Sequence, residues 1–309
     1  MLRAVSGLHE TPDESALMAW IRRPELRASD GRVLSWINGE HPGYPYDEAT
    51  ALFARTFAWM GKITEAAQLG RVLDARIEAD GSLGRSGQGF LFDTALALDN
   101  LSVPQPTAGF LATELLAGRS CVPIQRPGWW SESFGAHLTK ACVPLLRFGR
   151  RQVAHVVAEG LADSCFDGER FHIHAESPWT YLHSHCYAVE GLLGLGIRSE
   201  MVQSAAAWLV GQQDEDGSFP AWAGGRYEAR RPTDVVAQAV RIWAAVDRRK
   251  FDTPIRKALG RLASLQHPSG GIRYTEGSGD LCSWVAAFTL QACAWARQPP
   301  EASELEWLI

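Results

Sequence analysis

A rhythm along the chain limits its fold more than any single motif does. Segments rich in small and apolar residues begin near Tyr46, Phe90, Phe134, Tyr181, Pro232 and Leu281, spaced by about 45–50 residues. Each is followed by a more charged stretch with helical spacing, over 63–78, 106–117, 150–162, 200–212 and 253–265. A sixth charged partner has to come from a terminus, either residues 13–22 or the tail after Pro300. Self-similarity at such a period marks stacked units that cannot bury their apolar sides alone.

Glycine-bearing turns close most of the charged stretches: IEADGSLG, CFDGERF, QQDEDGSFPAW and LQHPSGGIRY. A glycine that can take φ > 0 ends a helix or makes a tight turn. Scarcely any stretch alternates with the two-residue period of a strand, so the expectation is all-α. Six hairpins, each an apolar helix backed by a charged one, can close into a ring with the apolar helices inside. The expected architecture is an (α/α)6 toroid forming one domain over 1–309, with 1–43 as an N-terminal helix and loop extension.

The stretch WTYLHSHCYAVEGLLGLG, from Trp179 to Gly196, shows how one unit works. Aromatics and two histidines come first, then a helix on which Tyr187, Leu192 and Leu195 share a face. Ala188 and Gly191 leave room for a neighbouring helix. A polar, aromatic start feeding such a helix predicts a packed rod whose N-terminal end opens into a pocket.

Composition excludes some partners. The formal net charge of -5 argues against nucleic acid and anionic membranes, which want a basic face. The six cysteines lie scattered without a CxxC pair, which reads as free thiols in a reducing compartment. The first residues, MLRAVSGLHETPDE, contain no apolar signal core, and no apolar run is long enough to span a bilayer. A cytoplasmic location follows as the expectation.

In a closed ring the inner helices run parallel, and their N-termini, with unpaired N–H groups and partial positive charge, gather at one mouth. The six starts bring Tyr46, Glu48 and Thr50; Phe92 and Asp93; Trp129, Trp130 and Glu132; Trp179, His183, His185 and Tyr187; Thr233 and Asp234; and Asp280, Cys282 and Trp284. Asp, Glu, Ser and Thr are also ordinary N-caps, which is the plain alternative for Asp93, Thr233 and Asp234.

Two chemistries suit that inventory. Carboxylates, tyrosine and histidine around a tryptophan-floored pocket suit proton transfer on a sugar, whose C–H faces stack on aromatic rings. Trp129, Trp130, Trp179, Tyr187, Trp222 and Trp284 are the candidate substrate contacts; core packing is the alternative for each. Separately, Asp280 and Cys282 with His185 (or His183) could make a mixed O/S/N zinc site with one open position.

Three resemblances attach to these residues. GQQDEDGSFPAW is similar to the QxxDGSW-type turns of terpenoid cyclases and protein prenyltransferases, both α/α toroids. DLCSW resembles the Asp-x-Cys zinc segment of the prenyltransferase β subunit, and SHCYAVEGL resembles its histidine-bearing helix, with the histidine one place off and the segment order changed. Neither DDxxD nor DxDD is present. More broadly, YDEATAL, YLHSHCYAVEGLL, GSFPAW with RRPTDVVAQA, and DLCSWVAAF resemble the terpenoid-cyclase-like toroid proteins encoded among bacterial exopolysaccharide genes. That resemblance covers most of the chain from Tyr46 to Ala296 and carries over Tyr46, Glu48, Thr50, His183, Tyr187 and Cys282. It departs at Ala51-Leu52, where the family has Gly-Tyr, and at Thr233-Asp234, where it has Asn-Trp. It implies a sugar-related role.

The sequence therefore predicts an enzyme acting on a glycan or glycosylated small molecule, as hydrolase, lyase or epimerase. Tyr46, Glu48, Asp93, His183, His185, Asp234 and Asp280 are its catalytic candidates. One alternative is a zinc-dependent prenyltransferase-like or cyclase toroid using Asp280, Cys282 and His185; another is a non-catalytic glycan-binding or scaffold protein.

Overall fold

The computed structural model describes residues 11–85, 87–122, 130–224 and 230–308. Twelve α-helices are present among them: α1 (Glu14–Ile21), α2 (Asp47–Trp59), α3 (Ile63–Asp74), α4 (Leu91–Ala97), α5 (Pro104–Leu116), α6 (Leu138–Cys142), α7 (Arg151–Cys165), α8 (Leu182–Leu195), α9 (Ser199–Val210), α10 (Thr233–Asp247), α11 (Asp252–Ser264) and α12 (Ser283–Arg297). The even-numbered helices pack in sequence, α2 on α4, α4 on α6 and so on, until α12 meets α2 and the ring closes. Each odd-numbered helix from α3 to α11 backs the even-numbered helix before it, and α1 takes the sixth outer place against α12. The fold is an (α/α)6 toroid.

Sequence composition explains the two rings. Every residue of α2 from Asp47 to Phe57 is buried, whereas α3 buries only Ala66, Leu69, Gly70 and Leu73, one stripe at helical spacing. Inner-ring threonines satisfy their hydroxyls within their own helix. Thr56, Thr94 and Thr289 each donate to the carbonyl four residues back, at 2.7 Å. Small residues let the inner rods approach. At Gly191 an added Cβ would stand 2.4 Å from the Lys140 backbone nitrogen, so α6 lies directly against α8 there. Gly191→Ala is therefore expected to destabilise the protein by about 1–3 kcal/mol, because backbone on both sides must move. Chemical denaturation measures it.

Two boundaries depart from expectation. The third inner helix, placed near Phe134, begins only at Leu138 and continues from Val143 as 3₁₀ turns, where Pro144 lacks the N–H that an α-helix would use. The first charged helix, expected over 63–78, ends at Asp74 and leads into the glycine turn. The tail after Pro300 is not an outer helix. Its 3₁₀ segment Ala302–Trp307 sits at the far end of the ring, where its carbonyls accept from Arg55 (2.6 Å, at Glu306) and Gln291 (2.9 Å, at Trp307).

Strands of two or three residues ornament the opposite end. Trp36–Ile37 pairs antiparallel with Leu281–Cys282, Thr180–Tyr181 with Trp222–Ala223, and Gln88–Phe90 with both Gly84–Arg85 and Cys121–Val122. These short ladders hold the loops that precede the inner helices. No helix among the described residues is long and apolar enough to cross a membrane.

Candidate functional site

The inner helices converge on one cavity of about 200 Å³ at the mouth. Among its walls stand Tyr46 and Glu48 of α2, Phe92 and Asp93 of α4, His183 and Tyr187 of α8, Asp234 of α10, and Trp284 of α12. None of the six inner helices has a side-chain N-cap; the residues in that place are Tyr46, Phe90, His137, Tyr181, Pro232 and Cys282. The capping alternative therefore fails for Asp93, which lies three residues inside α4. It holds in part for Asp234, whose Oδ1 accepts from the next N–H, Val235, at 2.8 Å. Thr233 and Thr50 are structural: Thr233 donates to the Tyr274 carbonyl, and Thr50 accepts from the Val33 N–H.

Glu48 sits where two phenols meet. Tyr46 donates to its Oε2, and Tyr187 donates to Oε1 at 3.1 Å. Burial, reinforced by the Glu48 charge, pushes both phenols well above their ordinary range, so they remain donors. Asp93 has no such partners. Burial first, and the charge of Glu48 second, hold its carboxyl far above the usual carboxylate value, against the pull of Arg85. A carboxyl that burial disfavours as an anion, set beside a second carboxyl that accepts from two phenols, is an arrangement suited to acid–base catalysis.

His183 is held by its Nδ1. That nitrogen lies 2.6 Å from Gln238 Oε1 and 3.6 Å from Asp234 Oδ2, both acceptors, so Nδ1 carries the proton and Nε2 is left for the cavity. The ring packs on Tyr187, with centroids 4.3 Å apart, and takes Trp130 edge-on at 5.7 Å. Trp284 donates its indole N–H to Asp234 at 3.3 Å and meets Tyr46 edge-on.

Several candidates lie elsewhere. His185, two residues past His183, faces the outer ring. Its Nδ1 accepts from the Phe171 N–H at 3.1 Å, Trp208 packs on its ring, and burial pushes it down to about 3. It is a neutral packing histidine and not a proton shuttle. Asp280 accepts from Asn38 at 2.8 Å outside the cavity, and Cys282 is buried in the ladder with Trp36. Among the described residues no three His, Cys, Asp or Glu side chains form a group that could hold a metal ion. The three residues expected to bind zinc, Asp280, Cys282 and His185, are thus not brought together as such a group. Trp179 and Trp222 do not line the cavity, although Trp222 packs on Tyr181, which does. Trp129 lies outside the described residues.

Other lining residues escaped the sequence reading: Tyr44, Arg85, Phe90, Ser131, His137, Tyr181 and Tyr274. Phe90 and Tyr181 were within reach, since both stand at helix starts that the rhythm located. His137 is pushed down to about 3 by burial and contributes a neutral ring beside Trp130.

No family profile matches the chain, and no curated protein matches it either. Solved structures do, through the fold. An alpha-amylase from Clostridium perfringens superimposes with a TM-score of 0.68 at 12% identity, covering 96% of this chain and 100% of that one. Cellobiose 2-epimerase from Bacillus thermoamylovorans gives 0.66 at 13%, covering 90% and 98%. A type II terpene cyclase from Scytonema gives 0.64 at 15%, covering 92% and 96%. At such identities the likeness is one of architecture, and toroids of this kind carry unrelated chemistries.

Proposed function

We propose that this (α/α)6 toroid is an enzyme acting on a glycan or glycosylated small molecule, with Asp93 as general acid and Glu48 as its partner carboxyl. One observation carries the reading. Two carboxyls, Asp93 disfavoured as an anion by burial and Glu48 accepting from two phenols, share a cavity walled with aromatic rings. In hydrolysis, Asp93 gives its proton to the departing glycosidic oxygen as the bond to the anomeric carbon breaks. Glu48 either takes a proton from the incoming water or attacks the carbon itself. Tyr46 and Tyr187 hold the Glu48 carboxylate in place, and Trp130 and Trp284 offer surfaces for the sugar's C–H faces.

Size supports a sugar over a prenyl chain. A volume of about 200 Å³ falls below the roughly 300–1,000 Å³ typical of sites for drug-sized ligands, and suits one pyranose ring. Three carboxyl groups and two histidines around it would also be poor company for a wholly apolar substrate.

His183 supports a second route at the same site. Its free Nε2 can accept a proton from a carbon next to a carbonyl, as a lyase or epimerase requires. Incubating the protein with a panel of disaccharides, acidic and neutral, separates these outcomes by product. Hydrolysis adds one water, epimerisation leaves the mass unchanged, and elimination creates a carbon–carbon double bond. For elimination or epimerisation His183→Ala is expected to cut turnover by about 100-fold or more, with the helical circular dichroism intact. Loss of the helical signal instead would make His183 a structural residue. Tight glycan binding with no product, unchanged in Glu48→Gln, would replace the enzyme with a binding protein.

A further inference from the structure

We infer that the sugar ring taken by this cavity carries an anionic group, a carboxylate or a sulfate ester, and that Arg85 receives it; the inference rests on the glycan reading above. Arg85 ends the strand Gly84–Arg85, paired with Gln88 of the strand Gln88–Phe90, and is exposed at the rim. Its guanidinium lies over three rings, Phe90 at 4.9 Å, Tyr44 at 5.3 Å and Tyr46 at 5.5 Å. Aromatic faces hold an arginine flat and leave the edge N–H groups for a planar or tetrahedral anion. No carboxylate of the described residues lies within ion-pair distance of it, whereas Arg32, Arg55, Arg76 and Arg119 all have one.

The cavity's own acids do not require Arg85 as a counter-ion. Glu48 is served by Tyr46 and Tyr187, and Asp234 by Val235 and Trp284. Asp93, whose field does reach Arg85, is disfavoured as an anion by burial and makes no ion pair with it. The side chain is therefore a positive charge beside the reacting groups with no ion pair among the described residues. It also stands on the ridge between the cavity and a second groove of about 490 Å³, lined by Arg76, Ser82 and Gln88 among others. A longer chain could continue there past the bound ring.

The glycines of this hairpin fix its course. A Cβ on Gly84 would fall 1.9 Å from the Gln88 carbonyl oxygen, and one on Gly89 would fall 2.6 Å from Ser82 Cβ. The backbone is thus pressed close enough to set Arg85 over its rings.

Trp130 and Trp284 line the cavity, so their fluorescence reports occupancy. We expect D-glucuronate or D-glucose 6-sulfate to bind about 10- to 100-fold more tightly than D-glucose, the range for a charge-assisted hydrogen-bonded pair. Whichever acid binds better identifies the anion. In Arg85→Gln that preference should disappear while D-glucose affinity stays within about 3-fold, within the scatter of such measurements. Equal binding of all three sugars, or a preference that survives Arg85→Gln, overturns the inference and leaves the glycan reading standing. Binding of none overturns both.

Discussion

Asp93→Asn is expected to lower turnover on a glycan substrate by about 10²- to 10⁴-fold, the usual worth of a placed general acid. The same change should make the protein more stable at neutral pH. Burial and the neighbouring charge of Glu48 raise the Asp93 pKa in the folded state. Between the ordinary carboxylate value and that raised value, the folded chain holds a proton that the unfolded chain has released. Stability therefore falls as pH rises through this window. Asparagine, which does not titrate, escapes the penalty. The variant's advantage should shrink toward zero as pH is lowered to the range where both states are protonated. Denaturant midpoints measured across the acid range, alongside turnover, test both halves. An inactive variant with no stability gain would mean that Asp93 is ionised in the native protein, and the acid would have to be sought elsewhere.

The second large effect lies beneath the cavity floor. Glu190 of α8 stands between Lys140 of α6, at 2.7 Å, and Arg241 of α10, with all three buried. Lys140 also lies over the Tyr187 ring at 4.7 Å, and Arg241 over Phe288 at 4.2 Å. Glu190→Gln leaves two cations in the core without their counter-charge and is expected to cost about 3–5 kcal/mol. Burial already pushes Lys140 down to about 8, against the pull of Glu190. Without that pull it falls further. The folded variant then holds fewer protons than the unfolded chain over a wider interval below the ordinary lysine value, so its stability should climb with pH sooner than the parent's. Urea titrations at neutral and alkaline pH would show the deficit narrowing. A loss under 1 kcal/mol at neutral pH would mean the triad contributes packing rather than charge balance.

Much of the architecture could be read from the residues because it depends on periodicity. An inner helix such as ALFARTFAW announces itself by lacking a polar face, and an outer one such as α3 by showing a single apolar stripe. Knowing where those helices start was enough to bring Tyr46, Glu48, Asp93, His183, Tyr187, Asp234, Trp130 and Trp284 to one cavity. His183 and Tyr187, four apart on α8, necessarily share a face. The same arithmetic should have excluded His185, since a step of two residues turns a side chain most of the way to the opposite side. Asp280 and Cys282 misled for another reason. They precede α12 in extended backbone, where their directions depend on the ladder with Trp36–Ile37, a pairing across most of the chain. Arg85 was invisible because it belongs to a glycine-rich turn between helices, whose path is set by close backbone contacts.

The seat of α1 has a consequence for how the molecule is made. Glu14 of α1 is tied to Arg297 of α12, and Asp13 exchanges backbone and side-chain bonds with Gln266, 253 residues on. A ribosome adding about 5–20 residues per second finishes the first helix long before its resting place exists. Through most of translation the nascent chain therefore carries an unmatched oily flank at each end of a growing arc. Its emergence should depend on chaperone shelter until the last rod arrives and the circle locks.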